Sequence, residues 1–169
     1  MKDSIIKEIN KKYVEAVEGY EDEIQNHEDV ASPDTYINLA FLYWCFAFEF
    51  FEVVIPNAIP DHWSVKGGDS FLRILNSGLN KFPNNLELHF WKKYFFHIAY
   101  GEDFTKGECL QLIGKYNGTQ SAVPYFFLYL FNKDKYKEQK MELLKIAEVA
   151  PTAKNLYIKS ILSTNAGII

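Results

Sequence analysis

Three segments of this sequence carry the same apolar pattern at intervals of 34 residues, and that period restricts the fold more than any other feature. In LNSGLNKFPNN the apolar columns are Leu75, Gly78, Leu79 and Phe82. In CLQLIGKYNGT they are Cys109, Leu112, Ile113 and Tyr116, and in LLKIAEVAPTA they are Leu143, Ile146, Ala147 and Ala150. Internal spacings of 3, 1 and 3 put each set on one face of a helix. Helix-ending residues recur in step at Pro83, at Asn117 with Gly118, and at Pro151. A unit that returns at such a period buries its apolar face by stacking on its neighbours.

A second helix type precedes each of these segments. Leu88, Trp91 and Phe95 are followed 34 residues later by Ala122, Tyr125 and Tyr129. Tyr36, Leu39 and Tyr43 have the same spacing but lie 52 residues before the Leu88 set, so 18 extra residues must enter between them. IPNAIPDHWSVKGG (55–68), with two prolines and paired glycines, is the expected insertion, and KGGDS (66–70) reads as a loop leading to a cap at Asp69. Ser32 can cap a helix that has Pro33 at its first position. Asn84 with Glu87, and Thr105 with Glu108, have capping-box spacing, and Ser121 and Thr152 are further cap candidates. These signals predict eight helices, near 3–27, 33–55, 69–82, 85–100, 105–116, 121–132, 135–149 and 152–163. No segment has the β-branched alternation of a strand, so the expected class is all-α, in one domain spanning 1–169.

At this point the chain resembles a tetratricopeptide repeat protein. YINLAFLYW (36–44) looks like that family's first-helix signature, with Tyr36 at the large-aromatic place, Leu39-Ala40 at the Leu-Gly pair and Tyr43 at the tyrosine. SFLRILNSGLNKFP (70–83) is similar to the second helix, with Leu75, Gly78, Leu79 and Pro83 in their places. The resemblance covers 33–151. It departs at the insertion, at Phe71 where a small residue is expected, and at 85–100, where Lys92-Lys93 lies near the place of the Leu-Gly pair. It implies antiparallel helix pairs stacked as a short right-handed superhelix, with an acidic helix before the repeats and a capping helix at 152–163. It also implies that the first helices line a concave groove. The groove residues carried over are Asp34, Ile37, Phe41 and Trp44 on the first, His89, Lys93, Phe96 and His97 on the second, and Phe127 and Leu130 on the third. The helix from 33 is apolar almost all round, which fits either enclosure by neighbours or an aromatic binding floor.

Charge and composition narrow the function. Residues 1–35 carry 4 lysines against 10 acids, whereas 115–169 carry 8 lysines against 4. Glu15, Glu18, Glu21, Asp22 and Glu23 would form an acidic surface able to steer a basic partner. Arg73 is the single arginine, and a chain so poor in that residue is not expected to bind nucleic acid. The most apolar run, Leu39 to Phe48, is ten residues, well short of the ~20 needed to span a membrane. Two cysteines, Cys45 and Cys109, lie in apolar runs, which suits buried thiols in the cytoplasm.

Motifs for chemistry are sparse. His27, His62, His89 and His97 contain no pair at three- or four-residue spacing. His89 and His97 share a helix side but are ~12 Å apart along it, so no metal or other cofactor is expected. GKYNGT (114–119) lacks the terminal Gly-Lys of a phosphate loop, and no serine sits in a GxSxG elbow. Glu49 and Glu52 form a close carboxylate pair beside an aromatic run. The expectation is therefore a non-catalytic module that binds a partner protein or peptide. The alternatives are an immunity protein that neutralises a basic, nuclease-like toxin, and a small-molecule-sensing helical regulator.

Overall fold

This computed structural model describes residues 3–27, 29–48, 54–116 and 121–164, and among them every regular element is helical. The helices are α1 (Asp3–Ile9), α2 (Tyr13–Gln25), α3 (Pro33–Ala47), α4 (His62–Lys81), α5 (Leu86–Tyr100), α6 (Lys106–Lys115), α7 (Pro124–Phe131), α8 (Lys137–Val149) and α9 (Ala153–Ser163). A single 3-10 turn, Ile55–Asn57, precedes α4. The all-α class expected from the sequence is what the chain adopts. None of the described helices is long and apolar enough to cross a membrane. Asn117, Gly118, Glu49 and Glu52 lie outside the described residues.

Helices adjacent in sequence pack on one another, and cross-contacts show α3–α4 and α5–α6 to be antiparallel. In α3–α4, Tyr36 meets Gly78 and Tyr43 meets Gly67. In α5–α6, Lys93 pairs with Glu108 at 3.5 Å while His89 stacks on Tyr116 at 4.0 Å. In α7–α8, Lys140 Nζ donates to the Tyr129 hydroxyl at 3.1 Å and Tyr125 meets Tyr136. Among the first helices of these pairs, Phe41 packs edge-on to Trp91 and Trp91 stacks with Phe126, so an aromatic core runs from α3 through α5 to α7.

Several boundaries differ from the sequence reading, each for a physical reason. The expected helix 3–27 is two helices, because Lys11 turns left-handed at φ 62°. Such a residue costs ~1–2 kcal/mol. It lets α1 fold back on α2, where Ser4 lies against Gly19 and donates to Glu23 Oε1 at 2.7 Å. KGGDS is not a loop: α4 runs unbroken through Gly67 and Gly68, and Asp69 caps nothing. A β-carbon at Gly67 would stand 2.3 Å from the Tyr43 carbonyl oxygen, so tertiary approach to α3, not turn formation, selects that glycine. The second half of the insertion, 62–68, thereby becomes extra helix, and Trp63 on it packs back edge-on against Phe46. The α5 cap is Asn85, whose Oδ1 accepts from the Leu88 N–H at 3.0 Å, one residue after Asn84. Thr105–Glu108 forms the expected capping box, and Thr152 caps α9 by accepting from the Asn155 N–H.

The last helix does more than follow α8. It packs on α8 and also against α3. The ring of Tyr157 lies 5.4 Å from Phe41 and 5.2 Å from Trp44, and its hydroxyl shares a 2.8 Å hydrogen bond with that of Tyr94 on α5.

Candidate binding site

Because α9 lies on α3, the residues expected along a groove are divided. Ile37, Phe41 and Trp44 are buried, with Phe41 and Trp44 enclosed by Trp91, Phe95 and Tyr157. In this structure they are core and offer no surface to a partner. His89 is held against Tyr116, with a ring nitrogen 2.7 Å from the Pro83 carbonyl oxygen. Lys93 is exposed and paired with Glu108, and Phe96 leans on Tyr100. His97, Phe127 and Leu130 come together in one recess, and Asp34 borders another.

The first recess lies at the C-terminal end of α5 and has a volume of about 470 Å³. Tyr94, His97, Phe104, Phe127, Leu130 and Phe131 form most of its lining. Phe104 stacks on Phe127 at 4.7 Å, and Phe131 meets the same ring at 5.2 Å, so the wall is aromatic and well supported. Ile98 and Phe131 of the lining are exposed, at 36% and 43%, and Tyr100, at 57%, is the last residue of α5. An apolar recess with exposed apolar residues in its lining is the sort of surface that marks an interaction site. Phe104 was absent from the sequence reading, because it sits in a loop outside the 34-residue columns.

The second recess lies at the N-terminal end of α5, beside the first turn of α9, and is about 370 Å³. Here Glu87 and Lys154 form a buried pair at 2.6 Å. Glu87 also accepts from Trp91 Nε1 at 3.1 Å and from the Ser121 hydroxyl at 3.0 Å. Burial alone would raise the Glu87 carboxyl, but Lys154 and these donors outweigh it and hold the group below its ordinary value. Burial likewise pulls the Lys154 ammonium down, while Glu87, Asp34 and Glu8 pull it up further, and the net shift is upward. Glu87 thus serves α5, α7 and α9 together, where the sequence suggested only a cap.

Behind this pair lies a second polar chain. Glu8 Oε1 accepts from the backbone N–H of Ala153 at 2.7 Å, at the start of α9. Its Oε2 accepts from the Tyr20 hydroxyl at 2.7 Å, and that oxygen accepts from Asn38 Nδ2 at 3.3 Å. Full burial pushes the Glu8 carboxyl up to about 7 despite these hydrogen bonds and the nearby Lys154. Asn38 lines the recess and is 5% exposed, and its Oδ1 has no hydrogen-bond partner.

The acidic residues of α2 have mixed duties. Glu15, Glu18 and Asp22 are exposed, with Glu15 3.4 Å from Lys12 and Asp22 accepting from Asn26. Glu21 accepts from the Tyr43 hydroxyl and from Lys66, and Glu23 accepts from Ser4 and Thr35, so both brace α2 on its neighbours. Burial holds both thiols neutral, Cys109 with its pKa pushed up to about 12 and Cys45 well above the ordinary value. Among the described residues no three of His, Cys, Asp and Glu are grouped to hold a metal ion. No protein-family model, curated protein or solved structure matches this chain.

Proposed function

We propose that this chain is a cytoplasmic, non-catalytic module that binds a partner protein, through the aromatic recess at the C-terminal ends of α5 and α7. The observation that carries this reading is the recess itself, with Ile98 and Phe131 of its lining left exposed. An apolar floor with an aromatic rim is where interface energy concentrates, since such side chains bury large areas with few torsions to fix. The antiparallel pairs α3–α4 and α5–α6 support a tetratricopeptide-like stack. Two buried, neutral thiols accord with a reducing compartment and with a non-nucleophilic role.

Site-specific photo-crosslinking in the source cell tests the proposal. Benzoylphenylalanine in place of Tyr100 should give a discrete crosslinked partner, and Leu130→Glu should abolish it while the protein stays folded. The same probe at Arg73, exposed on α4, should give none. Identical products from both positions, or no discrete product from position 100, would refute the assignment of the recess.

A further inference from the structure

The second recess has no role in that reading, yet its chemistry is specific. The Asn38 amide nitrogen donates to the Tyr20 hydroxyl oxygen, while its carbonyl oxygen is buried and without a hydrogen-bond partner. A buried acceptor left unpaired costs ~1–3 kcal/mol, and in a native structure such a group calls for a donor from outside the chain. The neighbouring charges select the kind of donor. Lys154 is already committed to Glu87 at 2.6 Å. Asp34 and Glu142, on the exposed side, have no ion-pair partner among the described residues, so the surplus charge of the recess is negative. The rest of the lining mixes the polar Ser121, Thr152 and Asn155 with apolar residues that include Ile5, Leu143 and Ile146.

We infer that this recess receives one basic side chain of the protein partner, with the alkyl stem against Ile5, Leu143 and Ile146. The cationic head meets Asp34, Glu142 and the carbonyl oxygen of Asn38. A volume of about 370 Å³ accommodates one long side chain with accompanying water. A carboxylate ligand would face Asp34, Glu87 and Glu142, and an alcohol would leave Asp34 and Glu142 uncompensated. A guanidinium or ammonium supplies several donors and the charge together. This inference rests on the protein-binding reading, but it concerns the opposite end of α5 from the aromatic recess.

The test is an amide-detected NMR titration of the full chain with n-butylguanidinium and n-butylammonium, using butan-1-ol and butyrate as isosteric controls. The cations should produce saturable shifts at the Asn38 side-chain amide and at the backbone amides of Asp34 and Leu143. Affinity should be on the order of millimolar for so small a ligand. The controls should bind at least about tenfold more weakly, a difference of ~1.4 kcal/mol. Asp34→Asn with Glu142→Gln, both at exposed positions, should weaken the cations about tenfold with the melting temperature unchanged. An end-blocked Gly-Arg-Gly peptide should bind at least as well as butylguanidinium. Exclusion of the peptide would overturn the protein side chain as the occupant. Non-saturating shifts, or equal shifts from butanol, would overturn the site altogether. Because the crosslink from position 100 is read separately, a null titration with that crosslink intact removes this inference alone. A cation-selective titration without the crosslink supports the basic-ligand recess and removes only the aromatic one.

Discussion

Replacing Glu8 with Gln should make this protein more stable at alkaline pH and leave it nearly unchanged in mild acid. Glu8 is wholly buried where α1, α2 and α9 meet, and folding raises its carboxyl from 4.5 to about 7. A carboxyl whose folded-state pKa exceeds its unfolded one binds its proton more tightly when folded, so stability falls as pH rises between those two values. The span of about 2.5 units at 1.36 kcal/mol each gives a loss of roughly 3 kcal/mol, complete above about pH 8. The groups facing Glu8 are Tyr20, the Ala153 N–H and Lys154, and the last partly offsets burial. Glutamine keeps an acceptor for the Ala153 N–H and a donor for the Tyr20 oxygen, so near pH 5 the variant should lie within about 1 kcal/mol of wild type. Urea denaturation of both proteins at intervals from pH 5 to 8.5 measures the difference directly, and the histidines, common to both, cancel. The difference should favour Gln progressively, by roughly 3 kcal/mol at the alkaline end. Parallel profiles would show that water reaches Glu8 and that its burial between the helices is not as described.

Two further substitutions probe the packing. Gly67→Ala should destabilise by about 1–3 kcal/mol, since its β-carbon would meet the Tyr43 carbonyl at 2.3 Å. Gly68→Ala, with nothing within 4 Å, should stabilise by about 0.5–1 kcal/mol through helix preference, and thermal melts that ranked the two alike would contradict the unbroken α4. Lys154→Met should cost about 3–5 kcal/mol by stranding the Glu87 carboxylate, whereas Lys154→Met with Glu87→Gln should recover most of that loss. Because the Glu87 carboxyl is lowered, the contribution of the pair is full above about pH 4.5, falls as pH drops below that, and is lost once pH falls through the lowered value, which an acid titration of the double-mutant cycle would show.

The sequence was legible where one local rule acted alone. The 34-residue columns mark helices that exist, and Thr105–Glu108 and Thr152 cap as their spacing requires. It was illegible where a distant partner decided the outcome. KGG resembles a turn on local grounds, but the approach of α3 makes glycine the residue that fits inside a helix there. The reversal at Lys11 has no glycine or proline to announce it, and the stabilising contacts, Ser4 with Glu23 and Glu8 with Tyr20, are long-range. In the candidate sites, His97, Phe127 and Leu130 are residues that the tetratricopeptide resemblance implies for a groove, and they line one recess. Glu8, Lys154 and Asn38 were missed. Asn38 did leave a trace, as the one strongly polar residue in the run from Tyr36 to Phe48. A lone amide amid ten or more apolar residues is costly to bury without a partner, and that cost is the signal that could have singled it out.

The position of α9 follows from α3. A helix that is apolar on every side cannot leave one of those sides in water, because each large aromatic ring buries about 150–250 Å², roughly 4–6 kcal/mol at ~25 cal/mol per Å². With α2, α4 and α5 on three sides, the fourth must be covered, and Tyr157 covers it by packing on Phe41 and Trp44. Hydrophobic contact alone would tolerate some rotation or sliding of α9. The hydrogen bond from Ala153 to Glu8 and the pairing of Lys154 with Glu87 fix both its register and its facing. A ligand directed at the middle of α3 would therefore have to replace a whole helix and strand two buried carboxylates. At the two ends of α5 a ligand meets surface that is already open, aromatic at one end and acidic at the other, and that is where recognition by this chain has the least to displace.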